Sequence, residues 1–419
     1  MLHLYAIPLV FALVGLAFYT VLGGADFGAG FWQLTAGNGP QANAVRDHAH
    51  DAMAPVWEAN HVWLVFVLTV VWTAYPTAFG SIASTLSIPL FVAAIGIIFR
   101  GLAYALRAGA AEPREQRRID TAFSLSSLLT PFALGTAVGG IASRRVPVGN
   151  ATGNELTSWI NPTSLTIGVL AIASAAYLAA VFLAADAVKL GDIQLERLFR
   201  RRALAAGVAA GAVALAGLAI LANDAQPVFH HLTGGSGLPA LLASLLAGSG
   251  TLLLVWRRRY EPARYGAAIA VAAIIVGWGL SQAPLFLPGL TIRAAAAPRA
   301  TLIALVVAVL AGALILFPSL TLLFRLVLSG RLAAGPSAGP LPRPRLLRRS
   351  GRGLLVRVAF ACLLTGVGLL TVANHAWAHA LGIACLLAFV VLAFPAALPP
   401  DLTGGTAATD SARDEKSHR

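Results

Sequence analysis

Trp57, Glu58, Asn60, His61 and Trp63 stand close together in "PVWEANHVWLVF", at the head of a long apolar stretch. Read as a helix, the segment puts Glu58 and His61, three apart, on one face, with Trp57, Asn60 and Leu64 as a neighbouring stripe. A Glu-x-x-His pair is part of the ligand set of a carboxylate-bridged di-iron centre. Such a centre also needs a second pair and two further glutamates from other helices, which this sequence does not offer. The pattern points away from a metal.

Few other charges enter apolar segments. Asp26 lies in "GGADFGAG", Arg100 in "FRGLAYALR" and Asp186 in "AADAVK". A charge at the centre of a bilayer costs roughly 2.5–3.5 kcal/mol on insertion scales, so each needs a partner or a task. Asp26, Glu58 and Arg100 are expected at one depth, where Arg100 favours ionisation of one carboxylate while desolvation keeps the other protonatable. Such a cluster suits the passage of protons. Asp186 reads instead as an anchor near a helix end.

The remaining motifs are weaker. "GGADFGAG" lacks the preceding strand and the Lys-Ser/Thr of a phosphate-binding loop, and its glycines are expected to allow close packing where the first span breaks. Axial haem ligands are scarce: Met53 and His61 border the second span, His230 and His231 lie in a loop, and His375 and His379 flank a turn. Cys362 and Cys385 have no C-x-x-C spacing and read as packing residues. In "WGLSQAP", Trp278 suits an interfacial aromatic belt, and Gln282 is a helix cap or a candidate quinone contact.

The elements that must position these residues are membrane helices. The chain of 419 residues is 58% hydrophobic and 11% charged, too apolar to hydrate the surface of a soluble domain. Its net charge of +13 comes from arginines in short clusters between apolar runs, which argues for topology signals and against nucleic acid. Eleven candidate spans emerge, at roughly 4–23, 56–75, 79–107, 119–142, 162–189, 203–223, 237–256, 263–283, 299–328, 354–373 and 376–397. The first reads as a retained span, without the basic leader of a signal peptide.

Connections after spans three, five, seven and nine are arginine-rich, as in "RAGAAEPREQRR" and "RRRYEPAR", and only the loop with Arg144 and Arg145 dissents. The positive-inside rule then puts the N-terminus outside and the C-terminus inside, with Asp26, Glu58 and Arg100 in the cytoplasmic third. Residues 329–353 read as a cytoplasmic linker, 354–397 as an additional hairpin, and 398–419 as a disordered tail.

Together, "GGADFGAG", "PVWEANHVWL", "FRGLAYALR", "NPTSLTIGVL" and "WGLSQAP", in this order and spacing, resemble subunit II of cytochrome bd-type quinol oxidases over residues 1–328. The resemblance implies an all-α polytopic membrane protein of two four-helix bundles plus a peripheral helix, located in the bacterial cytoplasmic membrane. It implies a heterodimer with a subunit I that holds haems b and d and oxidises quinol, while subunit II itself binds no haem and carries part of a cytoplasmic proton route. A structural quinone and an oxygen path are found in some members, and small accessory subunits are further expected partners. The family's acidic positions map to Asp26 and Glu58, with Trp57 and Asn60 beside the latter. His61 follows in the same segment as a supporting residue, Trp63 matches the aromatic residue tied to oxygen access, and Arg100 matches the arginine of span three.

Three departures stand out. The family's W-D-G-N is here "WEAN", with a longer acid and Ala59 for glycine; Gly23 stands where an additional acid is often found; and the linker and last hairpin have no counterpart. The hairpin is a candidate to fill an accessory subunit's place. Rival readings are a proton-coupled secondary transporter, against which no paired broken helices are legible, and an assembly scaffold whose buried charges only fix helix register.

Overall fold

The computed structural model describes residues 3–37, 39–107, 113–328, 352–372 and 376–397; within these, the side chains of residues 51, 53–59, 107, 113–115, 317, 320–328, 352–356, 367, 370–372, 376, 379 and 393–397 lie outside the description. The linker read above over 329–353 lies outside it as far as residue 351, and the tail 398–419 lies wholly outside it, as do His375 and the side chain of His379.

After a short turn the chain forms α1 (Ile7–Leu34), α2 (Pro40–Ala74), α3 (Pro76–Thr85), α4 (Ser87–Arg107), α5 (Pro113–Ala142) and α6 (Pro162–Lys189). Then follow α7 (Ile193–Asp224), α8 (Gln226–Gly234), α9 (Leu238–Trp256) and α10 (Tyr260–Gln282). A small antiparallel hairpin, β1 (Leu285–Leu287) and β2 (Leu290–Thr291), leads through α11 (Ile292–Ala295) to α12 (Arg299–Leu328). A second compact unit, from Leu323 onwards, contains α13 (Arg352–Val372) and α14 (Ala376–Ala397), which pack on each other. At their crossing a Cβ on Gly366 would meet Leu386 at 2.8 Å.

Among the described residues eight helices are long and apolar enough to cross a membrane, and Asn60–Ala74, Arg357–Gly366 and Ala380–Leu392 are shorter apolar helical stretches. Local chemistry sets the ends. Asn161 caps α6 by accepting from the Ser164 N–H ahead of Pro162, and Asp192 caps α7 by accepting from Gln194 and Leu195. Tyr75 (ψ 61°) and Ala225 (ψ 51°) leave the helical conformation and end α2 and α7, and a proline follows in the first turn of the next helix, Pro76 in α3 and Pro227 in α8.

The helices depart from the sequence reading in several places: α7 begins at Ile193 and not near 203, and His230 and His231, read in a loop, lie in α8. The third candidate span, 79–107, is divided at Leu86 into α3 and α4, three residues before Pro89, which has no N–H for the carbonyl of the preceding turn. The second begins far earlier than residue 56, because "PQANAVRDHAH" is amphipathic and turns Ala42, Val45, His48 and Ala49 inwards.

The first span also does not break at its glycines. α1 runs unbroken for 28 residues, about 42 Å at 1.5 Å per residue. The glycines are contacts between helices instead. A Cβ on Gly24 would meet Leu178 of α6 at 2.9 Å, one on Gly28 would collide with the Ala175 carbonyl, and one on Gly30 would collide with Ser127 of α5. Intrinsic helix propensity is low here, but the backbones of α1 and α6 press together and hold the turn. α1 and α6 thereby form the centre of the first unit, α1 touching α2, α5, α6 and α10, and α6 touching α1, α5, α7 and α10.

Gly28→Ala is expected to lower stability by about 1–3 kcal/mol through overpacking. Gly211→Ala, on the open face of α7 with nothing near its Cβ, should be neutral or stabilising by up to about 1 kcal/mol. The midpoints of unfolding in a detergent titration of the two variants check the contrast.

Candidate functional site

Asp26 of α1 and Arg100 of α4 form an ion pair that is almost wholly inaccessible, the two residues being 1% and 0% exposed. The Arg100 Nη2 group donates to Asp26 Oδ1 and, at 3.0 Å, to the backbone carbonyl of Asp26, while Nη1 donates to Ser127 Oγ on α5. Asn60 of α2, also 0% exposed, donates from Nδ2 to the other carboxylate oxygen at 3.0 Å. Ser127 passes the chain on by donating to the Phe123 carbonyl at 2.5 Å. The guanidinium carbon lies 4.1 Å from the Phe123 ring centroid and 4.9 Å from that of Phe27. A single arginine therefore ties α4 to α1 and α5, and Asn60 ties in α2.

A charge pair this deep survives only when its hydrogen bonds are filled, because desolvation of each ion costs several kcal/mol. The arrangement fills most of them. Among the described residues, Tyr19 Oη, Asn60 Oδ1 and Arg100 Nε remain buried without a hydrogen-bond partner. Tyr19 belongs to the same neighbourhood: a Cβ on Gly23 would lie 3.5 Å from its ring and 3.7 Å from Asn60 Nδ2. Buried polar atoms left open around an ion pair are the sites at which a water or another acid inserts.

The sequence-predicted residues divide as follows. Asp26, Arg100 and Asn60 meet. His61 follows Asn60 on α2 and is half-buried; Trp63 stacks on Phe18 at 4.6 Å and packs with Tyr19, Phe27 and Ala175 beside the pair. Trp57 and Glu58 are on the same helix, one turn before His61, and their side chains lie outside the described residues. Trp278 and Gln282 are elsewhere. They line an apolar cavity of about 190 Å³ between α1, α2, α5 and α10, where Gln282 Nε2 donates to the Ile141 carbonyl at 3.4 Å and Trp278 Nε1 is buried without a partner. No three His, Cys, Asp or Glu side chains converge as a metal site among the described residues.

Sequence reasoning missed Tyr19, Phe27, Phe123 and Ser127. The only signal for Ser127 was the hydroxyl run "SLSSLLTP" in an apolar helix. Asp186, expected as an anchor, is instead paired with Arg264 of α10, which also donates to the Phe182 carbonyl at 3.1 Å. Arg145, from the loop that dissents from the orientation read in the sequence, forms a two-pronged pair with Asp224 at 2.7 and 2.9 Å, and Thr163 donates to the same carboxylate.

Membrane-length helices joined by ion pairs such as Asp26–Arg100 and Asp186–Arg264 define an integral membrane subunit built to hold polar groups at depth. The chain belongs to the cytochrome bd terminal oxidase subunit II family, whose profile matches residues 4–327. It is 28% identical over 127 residues to cytochrome bd ubiquinol oxidase subunit 2 of Bacillus subtilis, covering 30% of this chain and 37% of that one. Over 161 residues it is 23% identical to cytochrome bd-I ubiquinol oxidase subunit 2 of Escherichia coli K12, covering 37% of this chain and 41% of that one. These alignments span less than half of either relative. The bd oxidase structure from Geobacillus thermodenitrificans matches with a TM-score of 0.61 and 26% identity, over 78% of this chain and 99% of the matched chain.

Asp26→Asn should destabilise the protein by about 3–5 kcal/mol, since it leaves Arg100 uncompensated, whereas Asp26→Leu with Arg100→Leu should recover most of that loss. Detergent-induced unfolding of the single and double variants measures both.

Proposed function

We propose that this chain is the haem-free subunit II of a membrane quinol:oxygen oxidoreductase, paired with a haem-bearing subunit I, and that it carries part of the proton supply to the oxygen-reducing site. Electrons pass from quinol through the haems b and d of the partner, and no electron-carrying step falls to this chain. Reduction of oxygen consumes protons. Drawing them from the cytoplasm while quinol releases its own outside builds a proton-motive force without a pump.

The observation that carries the proposal is the buried Asp26–Arg100–Asn60 constellation with open polar atoms around it. Arg100 contributes one fixed positive charge. Asp26 and Glu58, on adjacent helices, hand the proton on past it, with Asn60 holding the Asp26 carboxylate in place and His61 in support. In this reading the N-terminus is outside, the C-terminus is inside, and the pair lies towards the cytoplasm. Trp278, with its open Nε1, is the donor that a structural quinone's carbonyl would take. The hairpin α13–α14 stands in the place of a small accessory subunit, and truncation after Leu328 should weaken assembly of the complex.

Glu58→Gln removes the proton but keeps the shape. It should slow quinol-driven oxygen consumption by about tenfold or more while the partner's haem absorbance is retained. Unchanged oxygen consumption with unchanged haem spectra would exclude a role in proton supply, and copurification with a solute-binding protein in place of a haem protein would favour a transporter.

A further inference from the structure

Arg100, Arg264 and Arg145 each have a carboxylate. Arg202 of α7 has none among the described residues. Its guanidinium carbon lies 4.9 Å from the Trp32 ring centroid and 5.3 Å from that of Phe199, and Nη1 is buried without a hydrogen-bond partner. Trp32 is itself fixed, donating from Nε1 to the Ala176 carbonyl at 2.8 Å. The two rings take up apolar and cationic surface of the guanidinium and leave its N–H edge unanswered.

The position of Arg202 along α7 narrows what can answer it. Ala203 to Ala222 is a run of 20 residues without a charge, the length that crosses the hydrocarbon. Arg202 is therefore the residue at the boundary of the apolar layer, the level of lipid headgroups. Arg197, Arg200 and Arg201 immediately precede it. Arg200 donates to the Val255 and Trp256 carbonyls at 3.3 and 2.7 Å, which brings the turn Arg257–Arg259 alongside.

We propose that Arg202 anchors a binding site for the phosphodiester of an anionic phospholipid. The planar fork of the guanidinium matches two phosphate oxygens, and the arginines that precede it on α7 favour a lipid with net negative charge over a zwitterionic one. The competing occupant is a carboxylate of another subunit. A lipid is favoured because the arginine stands at headgroup level, directly after Arg200 and Arg201 in the chain. The inference does not rest on the proton route.

The test uses the full-length chain purified from its host membrane with whatever subunits accompany it, delipidated in detergent. The midpoint of thermal unfolding is followed during titration with dioleoylphosphatidylglycerol, dioleoylphosphatidylcholine or inorganic phosphate. Phosphatidylglycerol should raise the midpoint where the other two do not. Arg202→Gln should require about tenfold more phosphatidylglycerol for the same shift, the loss of a hydrogen bond to a charged group. Arg201→Gln, on the exposed side, should leave the titration nearly unchanged. Arg202→Lys, which keeps the charge but not the fork, should keep the preference for phosphatidylglycerol at reduced affinity. An Arg202→Gln titration that overlays the wild type overturns the proposal, and so does an equal shift with inorganic phosphate. Loss of an accompanying subunit from Arg202→Gln with an unaltered phosphatidylglycerol response also overturns it, and assigns the arginine to a protein carboxylate.

Discussion

One ion pair organises four of the first five helices, α1, α2, α4 and α5. Arg100 reaches from α4 to a carboxylate, a backbone carbonyl and a hydroxyl on two other helices, all sealed from solvent. Such a pair gains less from Coulomb attraction than its isolation suggests, since removing both ions from water costs nearly as much. Its value is conditional. Once either partner is present the other is obligatory, and the helices that carry them have one acceptable register. The glycines of α1 follow from this, because the carboxylate can meet the guanidinium only where α5 and α6 approach the α1 backbone to within a missing side chain.

The helices were legible because continuous apolarity over twenty residues has few other meanings, and the pairing of Asp26 with Arg100 was legible because both charges needed an explanation at depth. What stayed hidden follows from the same physics. "GGADFGAG" reads locally as a helix end, yet contacts from α6 outweigh the weak propensity, and these contacts come from residues some 150 positions away, about the distance from Gly28 to Ala175. The first part of α2 escaped notice because small and polar residues carry its inward face. Ser127 and Phe123 could not be chosen from among many similar residues, since neither carries a charge that demands a partner. Glu58 remains the residue on which the sequence speaks most directly, through its place in "WEAN" one turn from His61.

Charge and membrane contact are sorted cleanly in the first unit. Asp186 with Arg264 and Glu196 with Tyr260 join the ends of neighbouring helices, while Val208, Leu215, Leu246 and Phe91 are among the large residues left on the outside. Polar groups are thus spent between helices, and the outer surface is left to hydrocarbon.

The bond between Arg145 and Asp224 has a further meaning for biogenesis. The two residues are 79 positions apart, so the arginine leaves the ribosome well before its counterion exists. During that interval the nascent chain shows the insertion machinery a positive charge that the finished molecule neutralises. The sidedness of that loop must come from the stronger arginine clusters on its flanks, and an aspartate made later can only ratify a choice of topology, never dictate it.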